Sequence, residues 1–255
     1  MSVPQPSSGS PAAPSWRGAP SRPRVIAHRG ASRDAPENTL AAFRLARELG
    51  ADGVELDVQR CASGEVVVFH DDDLERLAGR CQRVDALPLD ALREVDLGAG
   101  QTIPTLEEAL AQLAPRMLVN VELKTAGLRD RGLLAAVATI LHRHAATPRV
   151  LVSSFNPAAL ARFARLAPEV PIGLLFHSEQ RLPLRRAWPA RLLRPLALHP
   201  ESKLVDAIAL GEWRRQGYLV HTWTVDDPRE MAALIALGVD AIITNQPARL
   251  RALLT

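Results

Sequence analysis

Apolar and polar positions alternate in a recurring way along this chain. Val25 to His28 reads VIAH, Val54 to Val58 reads VELDV, Val66 to His70 reads VVVFH and Leu118 to Lys124 reads LVNVELK. Successive side chains of a strand face opposite ways. Glu55 and Asp57 therefore share one face of VELDV, and Val54, Leu56 and Val58 the other. In LVNVELK, Val119, Val121 and Leu123 oppose Asn120, Glu122 and Lys124. Apolar outer faces under helices and polar inner faces suit the strands of a closed barrel.

Apart from VVVFH, strands are predicted to end near His28, Asp57, Lys124, Ser154, Leu175, His199, Thr224 and Thr244. Helices or crossover segments separate them. Predicted helices cover about 39–49, 105–113, 128–144, 203–216 and 247–253, and two more start at Asn156-Pro157 and Asp227-Pro228. Asn38 or Thr39 caps the first, Gly50 ends it, and Thr105 with Glu108 forms a capping box. This alternation predicts a (β/α)₈ TIM barrel. Only a short polar segment centred on Ser63-Gly64 separates VELDV from VVVFH, too short for a parallel crossover. VVVFH is therefore expected to return antiparallel, as an extra β-hairpin arm that sets His70 roughly opposite Asp57. A slip of one residue would swing His70 to the other face. Residues 72–104 read as a short insertion over the barrel mouth, with a helix near 87–94. His177 to Pro195 carries five arginines, Trp188 and several leucines. A solvated helix is favoured there over an element touching lipid or a partner.

Composition narrows the class. The chain has 255 residues, enough for one such barrel, with 47% hydrophobic and 23% charged residues. A net charge of +3 and no basic stripe interleaved with aromatics argue against nucleic acid. Lys124 and Lys203 are the only lysines, so Lys124 on a polar strand face is conspicuous. Cys61 and Cys81 make no disulfide framework and no zinc spacing. Residues 1–23, rich in Pro, Ser, Gly and Ala, are expected to be a disordered tail, leaving 24–255 as the barrel domain. No signal-peptide core or spanning segment is present, which gives a cytoplasmic expectation without membrane insertion.

The strand assignment puts His28, Glu55, Asp57, Glu122, Lys124 and Trp223 at carboxyl ends, where barrel active sites lie. Glu55, Asp57 and Glu122 would repel one another unless a cation joined them. All-oxygen donors favour Mg²⁺ or Ca²⁺ over zinc. The alternative is a salt-bridge cluster with Arg29 and Lys124. His28 and His70 would serve as an acid–base pair. Arg29 and Lys124 beside a metal would suit a phosphate. Trp223 is either an apolar wall or core. His177 and His199 are left open, His199 ending a strand where it could line the mouth, and His221 is expected deeper in the barrel on the face of Trp223.

The ordered set HRGASRDAPENTLAAF, VELDVQ, VVVFHD, IPTLEEAL, VELK, SSFNPAAL, HTWTVDDP and AIITNQP resembles the glycerophosphodiester phosphodiesterase family. The resemblance runs from Val25 to the C-terminus, and its compact segment between His70 and Glu122 is that of a small cytoplasmic member. It implies hydrolysis of glycerophosphodiesters, such as glycerophosphocholine or glycerophosphoethanolamine, to sn-glycerol 3-phosphate and an alcohol. It implies His28 and His70 as general acid and base, Glu55, Asp57 and Glu122 as metal ligands, Arg29 and Lys124 on the phosphate, and Trp223 on the glycerol side. The expected partner is a small-molecule substrate, with a homodimer open. Two other readings stand beside it: a lysophospholipase D-like enzyme on the same barrel, and a non-catalytic phosphate-binding barrel. Another type of metal-dependent barrel hydrolase would need a histidine-rich metal centre, which this chain lacks.

Overall fold

The computed structural model describes residues 15–18, 20–114, 116–125, 127, 129–144 and 149–255. Eight parallel strands close into a barrel: β1 (Arg24–His28), β2 (Gly53–Arg60), β6 (Leu118–Leu123), β7 (Val150–Ser154), β8 (Ile172–Phe176), β9 (Ala197–Pro200), β10 (Leu219–Thr222) and β11 (Ala241–Thr244). Closure comes from β1, which pairs with both β2 and β11. Helices on the outside bury one stripe each. Val54, Leu56, Val58, Val119, Val121 and Leu123 face outward into the main core, against Leu110, Leu134, Val137 and Phe163 of three of these helices. The period-two pattern thus sorts apolar side chains to the helix layer and polar ones to the interior.

Local signals place the helices. α4 (Leu106–Leu113) opens on the capping box of Thr105 and Glu108. α6 (Pro157–Leu166) and α10 (Pro228–Leu237) each begin with proline after a capping Asn156 or Asp227. α1 (Leu40–Glu48) is capped by Thr39, not Asn38.

The arm exists: β3 (Val66–Val68) runs antiparallel to β2. Its register differs by one residue from the expected one. Val58 pairs with Val68, so Phe69 rather than His70 stands opposite Asp57. The turn is three residues, closed by Cys61 N–H on Glu65 O, and is centred on Ser63. His70 still reaches the barrel mouth, because pairing stops at Val68 and the strand rule no longer governs it. Gln59 Nε2 donates to the carbonyls of Phe69 and Asp71 at 3.0 and 2.7 Å and holds this segment in place. The insertion contains a hairpin the sequence pattern does not show, β4 (Asp73–Leu74) with β5 (Arg80–Arg83), besides the helices α2 (Glu75–Ala78) and α3 (Leu89–Arg93). Cys61 is buried and Cys81 exposed, both free.

Residues 1–14, most of the expected tail, lie outside the described residues. Trp16, within that expected tail, is not solvent-borne. It is 1% exposed and packs at the amino end of the barrel with Ile26, Leu118, Leu151 and Ala241. Its indole Nε1 donates to Arg149 O at 2.8 Å, and its ring lies 5.3 Å from that of His221. One large aromatic gains enough from burial to dock a chain segment of otherwise low hydrophobicity.

Candidate active site

The carboxyl ends of the strands frame a pocket of about 190 Å³. Its polar wall comprises His28, Arg29, Glu55, His70, Glu122 and Lys124. Phe155, Leu175 and Trp223 form the opposite, apolar wall. All eight residues singled out from the sequence therefore converge. Seven line the pocket, and Asp57, 1% exposed, lies just beneath.

The HRG turn at the end of β1 depends on a glycine. Gly30 has φ +83°, and a Cβ there would come within 2.7 Å of the backbone and side chain of Ala42 on α1. Arg29, at φ +57°, is bent back so that its amide donates to Glu55 O. Its guanidinium lies 3.3 Å from Asp57 Oδ2 and 2.9 Å from Glu37 Oε1. Lys124 Nζ lies 3.0 Å from Glu122 Oε1 and 3.4 Å from Asp57 Oδ1. Two fixed cations thus flank the carboxylates.

Carboxylate oxygens of Glu55, Asp57 and Glu122, one from each, lie within 4.8 Å of one another, a group that could hold a metal ion. Electrostatics fit a cation. Burial, then Asp57 and Glu122, push the Glu55 carboxyl well above its usual range. Burial and Asp57 push Glu122 up to about 7. Burial also raises Asp57, but Lys124 and Arg29 outweigh it and hold this carboxylate low. Glu55 Oε1 is buried with no hydrogen-bond partner, as expected of an atom meant for a ligand. The three acids supply the hard oxygen donors that Mg²⁺ or Ca²⁺ takes. The salt-bridge alternative holds only in part: Lys124 and Arg29 pair with Asp57 and Glu122 but leave Glu55 Oε1 bare.

Each histidine is held by its Nδ1. His28 Nδ1 lies 2.8 Å from Asn245 Oδ1. Asn245 cannot turn its amide around, because its Nδ2 donates to Asp226 Oδ2 at 2.6 Å. The oxygen therefore faces His28, the proton sits on Nδ1, and the bare Nε2 points toward Glu55 Oε2, 3.8 Å away. Burial, then Arg29, lower the His28 pKa to about 4, so the ring is neutral near pH 7. His70 Nδ1 lies 2.6 Å from Asp71 Oδ1. Asp71 in turn accepts from Arg76 Nε at 2.6 Å, and Arg76 reaches on to Glu37, the partner of Arg29. The insertion thereby ties both halves of the rim together.

Asp71, Asn120 and Asn245 hold positions at the site that the sequence patterns do not single out, and Asn38 is singled out only as a possible helix cap. Asn38 sits at φ +57° and donates to Asp57 Oδ2 at 2.9 Å, fixing that carboxylate instead of capping the helix. Asn120 lines the pocket, buried, with neither amide atom partnered. His199 is not at the mouth. It is fully buried, its ring packed over Gly173 and 3.1 Å from His221 Nδ1. Gly173 leaves the space that turns His199 into the interior. Trp223 both lines the pocket and is fixed, its Nε1 donating to His199 O at 2.8 Å with an edge contact to Phe155.

The sequence model of the glycerophosphoryl diester phosphodiesterase family matches residues 28–249. The chain belongs to this family. It is an enzyme of the phosphodiesterase class. It is 35% identical over 232 residues to a glycerophosphodiester phosphodiesterase of Caldanaerobacter subterraneus subsp. tengcongensis, covering 88% of this chain and 94% of that protein. A phosphodiesterase of Oleispira antarctica, solved with the product sn-glycerol-3-phosphate, superposes with a TM-score of 0.81 at 32% identity, covering 91% and 97% of the two chains. The glycerophosphodiester phosphodiesterase of Thermotoga maritima gives a TM-score of 0.75 at 28% identity, covering 91% and 98%. No helix among the described residues is long and apolar enough to cross a membrane.

Proposed function

We propose that this protein hydrolyses glycerophosphodiesters to sn-glycerol 3-phosphate and an alcohol, with His28 and His70 as the acid–base pair. One observation carries this reading: two histidines, each locked by its Nδ1, share a pocket with a carboxylate cluster and two cations. Glycerophosphocholine and glycerophosphoethanolamine are the expected substrates. Arg29 and Lys124 hold the phosphate, and Phe155 and Trp223 flank the glycerol carbons.

His28 Nε2, neutral, takes the proton of the substrate's own glycerol hydroxyl. The freed oxygen attacks phosphorus, and His70 delivers a proton to the departing alcohol oxygen. The cyclic phosphate is then opened in reverse sense. His70 takes a proton from water, the water oxygen bonds to phosphorus, and His28 returns its proton to the glycerol oxygen. A tethered hydroxyl acts at high effective concentration. Glu55, Asp57 and Glu122 would hold Mg²⁺ or Ca²⁺, which supplies positive charge against the phosphate oxygens and the attacking hydroxyl.

Glycerol 3-phosphate release from glycerophosphocholine, followed by a coupled assay, tests this. Activity is expected to vanish with EDTA and return with Mg²⁺ or Ca²⁺. His28→Ala and His70→Ala should each lose about 10²–10⁴-fold in kcat. Unchanged turnover in either variant would refute the assignment of that histidine. The same chemistry on lysophospholipids is a second reading, favoured by the exposed Leu182, Trp188 and arginines of the segment that follows β8.

A further inference from the structure

The connection from β8 to β9 leaves the catalytic rim at His177, whose ring meets the pocket residue Phe155 edge-on at 5.7 Å. The reading favoured by sequence is one solvated helix containing prolines. No such helix forms. Two single turns, α7 (Leu182–Arg185) and α8 (Ala190–Leu193), are broken by Ala187 and Arg194 at φ +50° and by Pro189. Leu182, Trp188 and Leu192 are left 48%, 52% and 92% exposed. Six large hydrophobic side chains are exposed among the described residues, and these three fall within eleven positions. A fourth, Ile208, begins α9 (Ala207–Arg215) and lines one groove with Arg185, Arg186 and Lys203.

Within the segment itself, from Arg181 to Arg194, the charge is of one sign. Arg181, Arg185, Arg186, Arg191 and Arg194 have no acid between them in sequence. Among the described residues none of the five pairs with a carboxylate; Arg22, Arg29, Arg76, Arg83 and Arg251 do, while Arg24 and Arg60 donate to backbone carbonyls. Two acids line the groove, Asp206 and Glu212, and Asp206 is engaged as the cap of α9; Lys203 pairs with Glu201 at 3.1 Å, so the unpaired charge of the groove is that of Arg185 and Arg186. Unpaired guanidinia interleaved with exposed Trp and Leu match the chemistry of an anionic lipid surface. Arginine grips lipid phosphates, and tryptophan and leucine sit at the headgroup boundary.

We propose that this face docks the enzyme on anionic bilayers, with Arg185 and Arg186 against lipid phosphates and Leu182, Trp188 and Ile208 in the headgroup layer. Because the segment starts at the rim beside Phe155, docking brings the pocket mouth close to the membrane. The proposal goes beyond hydrolysis, since binding can be measured without turnover.

Flotation of the full-length chain with vesicles tests it, using phosphatidylcholine alone or with about 30% phosphatidylglycerol. Binding is expected only with the anionic vesicles, and should be lost at about 0.5 M salt. Arg185→Gln with Arg186→Gln should cut binding about tenfold or more. Trp188→Ala should weaken it severalfold, and both variants should turn over soluble glycerophosphocholine at the original rate. Absence of wild-type flotation on anionic vesicles would overturn the proposal, as would equal binding by the double variant. Heparin binding as tight as vesicle binding and indifferent to Trp188→Ala would make the occupant a soluble polyanion, and would also overturn it. Failure of the hydrolysis assay would leave the flotation result intact, so the two readings fail separately.

Discussion

Asn245 decides which nitrogen of His28 is left free to face the pocket. Its Oδ1 is aimed by Asp226 and fixes the proton on Nδ1. Asn245→Ala should therefore leave the fold and the carboxylate cluster intact but lower kcat about 10–100-fold, as for an outer residue that orients a working group. A kcat matching wild type in a stopped assay would remove this role. The pair is 217 residues apart in sequence and 2.8 Å apart in space. No local pattern can announce such a partner, which is why His28 was legible in the chain and Asn245 was not. The acids make a second case. Without a cation, Glu122 stays protonated up to about pH 7, above the ordinary carboxylate range. A raised carboxyl stabilises the metal-free fold fully below its unfolded pKa, and the contribution is lost as pH rises through about 7. A cation requires the deprotonated ligand and must displace that proton. Added Ca²⁺ or Mg²⁺ should therefore raise the unfolding midpoint more at about pH 8 than at about pH 6. Equal shifts at both pH values, read by scanning fluorimetry against EDTA, would contradict the proton competition.

Elements whose side chains alternate over several residues were readable, and elements set by one contact were not. Val54 to Val58 and Val119 to Leu123 declare inner and outer faces by themselves, so eight strands and their polar ends follow. The arm was readable as antiparallel, but its register was not, because a three-residue turn and a two-residue turn fit the same polar stretch. The β4–β5 hairpin is too short to carry a period. α7 and α8 arise where positive-φ residues break an otherwise helical composition. Gly30 belongs to this scale, since it joins β1 to α1 at a distance that excludes any side chain. Gly30→Ala meets both an unfavourable φ and a 2.7 Å approach to Ala42, and should cost roughly 3 kcal/mol. For a domain of this size that is a midpoint lower by roughly ten degrees. Activity should fall with it, because Arg29 would move. A thermal midpoint within a degree or two of wild type would show that α1 gives way instead.

The whole barrel divides its labour between two ends. The carboxyl end holds the pocket and the cations. The amino end is closed by Trp16, over whose ring Arg24 lies at 5.8 Å while donating to Ser15 O and Gly18 O. Composition marks residues 1–23 as a tail, and a single tryptophan among Pro, Ser and Gly leaves no periodic trace. Burial of that one side chain is nevertheless worth several kilocalories. Trp16→Ala should cost about 3 kcal/mol, near the low end for a buried tryptophan because a tail can partly refill the space. The midpoint should fall by roughly 6–12 °C. Removal of residues 1–23 should do the same or slightly more, since Arg22 also pairs with Asp52. Turnover at 25 °C should stay at the wild-type value in both variants, because the plug and the pocket lie at opposite ends of the strands. If turnover instead fell in step with plug loss while the midpoint held, the amino end would be coupled to the site through the interior, where His221 lies between Trp16 and His199. An unchanged midpoint with unchanged turnover would show that Trp16 contributes no net stability, and that the domain begins at Arg24 after all.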